Sequence, residues 1–293
     1  MNKKKIAYFI RSVARYFSPR VCTNCGSTES SQVDRKYLVT QLFECNHCKL
    51  QFRHPVDSKV FNNSFYQEDY EQADGITTDL PDSDELQSMI NSDFKDSAKN
   101  VDDFIRIFDA LIKTESYKLI DYGSSWGYMS YQFKKKGIST QSFEISKPRA
   151  SYGNKHLGLN IATKEKELDT NNDVFFSSHV IEHVPSINGM VDLAKKLLLD
   201  SGFFVAESPN GSGAYRKKDP LGFHKGWGLV HPNYLSGEFY EVQFQNNPYL
   251  ILSSPYDFSM IRNWDQKSQL KGKLDGDQLL IISMPNFSMS RDL

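Results

Sequence analysis

The stretch that most constrains the fold runs Leu119-Ile120-Asp121-Tyr122-Gly123-Ser124-Ser125-Trp126-Gly127-Tyr128. A short apolar run ends in an acid, a glycine-punctuated turn comes next, and Met129 to Lys136 reads as helix. A buried strand that enters a tight turn and opens a helix is the nucleotide-facing corner of a doubly wound α/β sheet. Glycine is needed there because the backbone comes close to a ligand where a Cβ would collide. The G-x-S-x-G spelling alone is a weak signal, and three later strand-like runs strengthen it. Ser142-Phe143-Glu144-Ile145-Ser146 is a second short strand ending in an acid. An acid at that tip binds the hydroxyls of a ribose in such sheets, unless it is an ordinary surface acid. A third run, Val174 to Ser178, leads into His179-Val180-Ile181-Glu182-His183-Val184-Pro185, and a fourth spans Gly202 to Asn210.

From about Leu119 to Asn210 the chain resembles the class I S-adenosylmethionine-dependent methyltransferases. The resemblance rests on Asp121-x-Gly123-x-x-x-Gly127, Glu144, the His-Val-Ile-Glu-His-Val-Pro segment and the Leu-Leu-Leu-Asp-Ser-Gly-Phe-Phe-Val lead into the fifth strand. Ser125 stands where many members have glycine; serine is small enough for close approach. The lack of a third glycine, together with a single ribose acid, argues against a dinucleotide dehydrogenase. The resemblance implies a Rossmann-like, mostly parallel α/β sheet of about seven strands with an antiparallel edge. It assigns Glu144 to the ribose hydroxyls and places Asp121 near the methionine ammonium. The backbone at Gly123, Ser125 and Gly127, with Ser178 and His179, would line the rest of the cofactor site. Trp126 and Tyr128 could form an aromatic wall beside the sulfonium, or Trp126 could be core.

All four cysteines fall near the start, as Cys22-x2-Cys25 and Cys45-x2-Cys48. Paired knuckles of this kind form the tetrahedral thiolate set of a closed, structural zinc site. Disulfides fit poorly in a chain without a secretory signal. The surrounding text is similar to the zinc ribbon ahead of certain bacterial methyltransferases, many of them in sugar and surface-polysaccharide pathways. His54 reads as a solvent-facing or capping residue in preference to a spare ligand.

The opening segment is basic, with Ile6, Phe9, Ile10, Val13 and Phe17 on one helical face. It is a helix docked on its own protein, a frayed end, or a peripheral contact with an anionic membrane. Arg11 and Arg15 interrupt the apolar run, so neither a signal core nor a spanning helix is expected, and the expected location is cytoplasmic. The chain divides into four regions: an N-terminal helix (1–20), a zinc ribbon (21–56), a linker and helical cover (57–115) and the methyltransferase domain (116–293). Tyr66 and Tyr70 in the linker are either lid residues or core packing. Asp82 to Lys113 reads as a helix or helix pair, and Asp275-Gly276-Asp277 as a hairpin turn into the last strand.

Methyl transfer to a hydroxyl needs a base. His179, Glu182 and His183 share one face if a helical turn begins at the strand exit. They form a proton-abstracting group, or grip a divalent cation with a distant histidine such as His231 or His224, or simply hold the loop. In the loop after strand five, His231 and Tyr234 are candidate acceptor contacts, and Trp227 either stacks on a sugar or anchors the loop. With 35 basic and 36 acidic residues in a 293-residue chain, no globally basic surface exists for nucleic acid. The expected function is methyl transfer to oxygen or carbon of a small or carbohydrate-type acceptor. The alternatives are an RNA methyltransferase that uses its ribbon to hold nucleic acid, and a catalytically silent binding module.

Overall fold

The computed structural model describes residues 3–56, 79–95, 97–228 and 231–289. Tyr66 and Tyr70 lie outside the described residues. Helix α1 (Lys3–Ala14) leads to a ribbon of three antiparallel strands, β1 (Ser30–Lys36), β2 (Thr40–Cys45) and β3 (Gln51–His54). The expected helical cover is a pair, α2 (Ser83–Asn91) and α3 (Asp102–Leu111). Asp82 caps α2, accepting from the N–H groups of Asp84 and Glu85, while Glu85 accepts from the Asp82 N–H in return. On α3, Phe104, Ile107, Phe108 and Leu111 are buried at helical spacing.

Strands and helices then alternate: β4 (Lys118–Tyr122), α4 (Tyr128–Lys135), β5 (Ser139–Phe143), α5 (Lys147–Leu157), β6 (Ile161–Ala162), β7 (Asn172–Ser178), α6 (Ile187–Leu197) and β8 (Leu198–Pro209). The chain next forms α7 (Gly213–Lys218), α8 (Pro220–Gly226), β9 (Asn233–Tyr234), α9 (Gly237–Gln243), β10 (Tyr249–Ser253), α10 (Phe258–Asn263), β11 (Gln269–Lys271) and β12 (Gln278–Ser283). The main sheet has the order β6-β5-β4-β7-β8-β12-β10-β11. Strands β4 to β8 run parallel, and β12 lies antiparallel to both β8 and β10. The seven expected strands are present, and β11 adds an eighth.

The apolar strand runs are explained by burial on both faces. Along β7 and β8, Phe175, Phe204 and Ala206 enter one core with α6, α9 and the ribbon. Val174, Phe176, Phe203 and Val205 enter the other, with α3, α4 and α5. Phe104 of α3 packs on Phe176 with ring centroids 4.6 Å apart. The hairpin expected at Asp275 to Asp277 is absent. Strand β11 pairs in parallel with β10, and β12 slots between β10 and β8, so this turn joins no antiparallel neighbours.

The ribbon is not a separate bead. Its sheet has the order β1-β2-β3-β9, so its last strand comes from the segment after β8. Cys22, Cys45, Cys48, Leu50 and Phe52 join the same buried cluster as Ile120 and Phe175.

Close approach between α5 and the first turn is set by Gly153, where a Cβ would lie 2.5 Å from the Trp126 carbonyl oxygen. That neighbour is backbone and cannot rotate away. Gly153→Ala should therefore cost about 1–3 kcal/mol, read as a lower urea midpoint with an unchanged slope.

Candidate active site

Order reverses at β4, which has β5 on one side and β7 on the other. The crevice at their carboxyl ends is the expected ligand position in an open α/β sheet. A cavity of about 740 Å³ opens there, with Gly123, Ser125, Glu144, Ser178, His179 and His183 in its wall. Its size suits one organic ligand with part of a second.

The turn after β4 owes its shape to three left-handed residues, Gly123, Ser125 and Gly127. Gly123 has φ +85°, and a Cβ on it would lie 2.3 Å from a methyl of Val180. Ser125 adopts φ 52°. Its N–H donates to Glu144 at 2.9 Å, and its hydroxyl accepts from Arg149 Nη1 at 2.9 Å. The other Glu144 oxygen accepts from the Ser146 N–H at 2.7 Å. A carboxylate has about four lone-pair sites, so Glu144 can still accept from a hydroxyl in the cavity. Burial raises the Glu144 carboxyl, opposed by the Ser146 and Ser125 N–H groups and by the Arg149 charge.

Three expected cofactor residues stand back from the cavity wall. Asp121 is buried and accepts from the Ser130 hydroxyl at 2.6 Å. Trp126 is fully buried in the core beside Tyr128, so of the two expected wall aromatics only Tyr128 lines the cavity. Gly127 faces Leu159, against which a Cβ would clash, so its role is packing of the first helix turn.

At the opposite end, β7 exits through His179, whose φ of 55° turns the chain sharply. Glu182 is fully buried, and neither carboxylate oxygen has a hydrogen-bond partner. Its Oε1 lies 3.4 Å from His179 Nδ1, 3.8 Å from His183 Nε2 and 3.9 Å from His231 Nε2. Burial favours the neutral acid, but the charges of His183, His179 and His231 outweigh it and hold the pKa at about 2. Burial works against a charged His179, yet Glu182 outweighs it and lifts the imidazole to about 8. His231 Nδ1 lies 2.7 Å from the Gly226 carbonyl, which can only accept. Nδ1 therefore carries a proton, and Nε2 faces Glu182.

His231 reaches this cluster, whereas the other expected acceptor contacts do not. Trp227 is buried, and its Nε1 donates to Asp34 of the ribbon at 2.9 Å. Tyr234 is buried in a small cluster with Leu42, Phe223 and Trp227. His224 pairs with Asp34 at 2.8 Å, away from Glu182. Both Trp227 and His224 serve the contact between loop and ribbon. The four cysteines converge, with Cys22–Cys48 and Cys25–Cys45 sulfurs each 3.5 Å apart and all four within 4.8 Å of one another. A tetrahedral zinc with bonds of about 2.3 Å needs sulfurs about 3.8 Å apart, so this donor set fits one. His54 is no fifth ligand. It is buried, and its Nε2 donates to the Tyr16 carbonyl at 3.1 Å, neither facing solvent nor near the thiols.

Sequence reasoning missed Glu207 and Tyr256, both in the cavity wall. Glu207 accepts from Ser178 Oγ at 2.9 Å and from the Tyr256 hydroxyl, and lies 3.7 Å from His179 Nε2. It ends β8 as Glu144 follows β5, so the same strand-tip rule would have found it. Tyr256 comes from the loop after β10 and carries no local signal. Arg149, also missed, was readable only as one basic residue in the first turn of α5.

No family model matches the chain, and no curated protein matches it in sequence. Among solved structures, it is similar to a TehB-like SAM-dependent methyltransferase from Corynebacterium glutamicum, at 15% identity and a TM-score of 0.42, covering 68% of this chain and 94% of that one. It is also similar to the plantazolicin methyltransferase BamL, solved with a triazolic desmethylPZN analog and SAH, at 15% identity and TM-score 0.45, covering 68% of this chain and 90% of that one. A possible histamine N-methyltransferase from Thermotoga maritima matches at 13% identity and TM-score 0.42, covering 68% and 96%. Strand order and the reversed β12 carry the assignment of architecture. The fold is a Rossmann-like α/β fold with a mainly parallel central sheet and an antiparallel edge.

Burial pushes the Asp121 carboxyl up to about 7 against its bond from Ser130, and the Glu144 charge adds to the rise. A folded-state pKa above the unfolded one means that the folded chain holds a proton the unfolded chain has released. Stability is therefore lost as pH rises from about 4 to about 7. In the ligand-free protein, Asp121→Asn should raise the unfolding free energy on the order of 2–4 kcal/mol at about pH 8 and by less at about pH 5. A difference that stays flat across that range would mean that Asp121 is ionised in the folded chain.

Proposed function

We propose that the protein transfers a methyl group from S-adenosylmethionine to oxygen or carbon of a small or carbohydrate-type acceptor. The observation that carries this reading is one cavity whose wall joins Glu144 at one end to His179 and His183 at the other. The donor supplies a methyl group on a positively charged sulfur. Glu144, held by two backbone N–H groups, offers its remaining lone pairs to the ribose hydroxyls. The neutral form of His179, which prevails above its pKa of about 8, takes the acceptor proton, and ionised Glu182 keeps the imidazole oriented and stabilises its charge. Most of the catalytic effect then lies in positioning and in exclusion of water. The carbohydrate class of acceptor rests on the resemblance of the ribbon and its following domain.

A second reading of the cluster has its own support. Neither Glu182 oxygen has a hydrogen-bond partner, and Nε2 of His231 lies 3.9 Å from Oε1. A buried carboxylate without a hydrogen bond needs positive charge beside it, which a bound cation would supply. Glu182, His183 and His231 place one ligand atom each within 4.8 Å of the others, a nitrogen and oxygen set that suits a divalent ion. Such an ion would acidify an acceptor hydroxyl in place of a histidine base. The ribbon cysteines, on this proposal, hold a structural zinc that keeps β2 and β3 in place.

Calorimetry with S-adenosylhomocysteine should give a dissociation constant weakened more than about tenfold in Glu144→Gln. His183→Ala should leave that constant unchanged and cut turnover; loss of both together would make His183 structural. A protein with no heat at all would be a silent module. Metal analysis should find one zinc per chain that Cys48→Ser removes. A titration with manganese should bind wild type and not Glu182→Gln if the cation reading holds, and neither protein if His179 is the base.

A further inference from the structure

Helix α1 meets the rest of the protein through its less apolar face. Tyr8 and Ser12 are buried, the Arg53 guanidinium lies 5.4 Å above the Tyr8 ring, and His54 holds the Tyr16 carbonyl. The apolar face points away. Ile10 is 61% exposed, Phe9 and Val13 are exposed, and Phe17 beyond the helix is 94% exposed. A helix docked on its own core would show the reverse pattern, with its apolar stripe buried.

Charge says what covers this face. The first acidic residue of the chain is Glu29, and before it come Lys3, Lys4, Lys5, Arg11, Arg15 and Arg20. A chain of net charge −1 thus concentrates six cations in one acid-free stretch. An outward apolar stripe on a basic helix is the composition that sinks into the headgroup region of an anionic bilayer. A second copy of the chain would set like charges against one another. Nucleic acid would call for cations on the outward face in place of Phe9, Ile10 and Val13.

A second apolar tip lies at the same end of the ribbon. Tyr37 and Leu38, between β1 and β2, are both largely exposed, Leu38 by 75%. Strand register puts this tip next to Thr40 and Gln41, and Gln41 pairs with His54, the residue that holds Tyr16. We propose that α1, Phe17 and the Tyr37-Leu38 tip form a peripheral docking surface for an anionic membrane. No helix among the described residues is long and apolar enough to cross a bilayer, so the contact is interfacial. The surface is tied to the candidate site by one strand. Arg53 of β3 donates from its backbone to the Pro232 carbonyl and from Nη1 to the Gly228 carbonyl, on either side of His231.

The test is co-sedimentation of the full chain with vesicles of phosphatidylcholine alone or with about a third phosphatidylglycerol. Binding is expected to the second kind only and to weaken as salt is raised. The double substitution Ile10→Glu and Val13→Glu should lower it more than about tenfold, with circular dichroism unchanged. Phe17→Ser and Leu38→Ser, each outside regular structure, should lower it separately. The proposal is overturned if the wild type stays in the supernatant with phosphatidylglycerol vesicles, or if sedimentation ignores these substitutions. It is equally overturned if they instead dissociate a dimer, or abolish retention of a short RNA, while vesicle binding is absent.

Discussion

A carboxylate without a hydrogen bond, fully removed from water, costs several kcal/mol unless charges of opposite sign surround it. Glu182 is in that position, and the histidines within 4 Å are its compensation. They come from two places in the sequence: His179 and His183 from the exit of β7, His231 from the loop after β8. The Glu182 carbonyl also accepts from the Asn233 N–H. One residue thus ties the end of a central strand to a distant loop through both its side chain and its backbone. That arrangement sets how the site can handle a proton or a cation.

The loop is held from its other side by the ribbon. Asp34 binds His224 and Trp227, Lys36 donates to the Trp227 carbonyl, and β9 extends the ribbon sheet. Gln51 reaches the Gly211 carbonyl at 3.1 Å, and Thr23 reaches Asn233 at 2.9 Å. The ribbon therefore acts as a brace for the segment that carries His231. Cys22, Cys45 and Cys48 sit far along the chain from Tyr122 and Phe143 of the cavity wall, yet belong to the same buried cluster. At the opposite end of the cavity, repulsion between buried acids does comparable work. Asp121 and Glu144 cannot both be ionised cheaply in the absence of a cationic ligand.

Local chemistry made much of this legible in the sequence. Continuous apolar runs at β4, β7 and β8 require two covered faces, and alternation with amphipathic helices then requires a parallel sheet. Gly123, Glu144 and the His179 to His183 segment were readable because strand tips and tight turns impose residue types within a few positions. The convergence of the four cysteines was readable because paired knuckles bring four thiols together. Trp126, Trp227 and Tyr234 were ambiguous for a physical reason: an aromatic ring satisfies a core as well as a ligand wall, and only its neighbours decide.

Those neighbours are set by contacts between residues far apart in the chain, which a linear pattern does not encode. Pairing of β3 with β9 turned Trp227 and Tyr234 into the interior of an interface and left His231 facing Glu182. The same packing buried His54 beneath α1 and left Phe9, Ile10, Val13 and Phe17 outside. Glu207 meets His179 and Ser178 because β8 lies beside β7, and Tyr256 reaches Glu207 from the loop after β10. Sequence determined which side chains could do chemistry, since that depends on bonds and local geometry. Tertiary structure decided which of them meet, since burial and long-range pairing fix distance, desolvation and charge together.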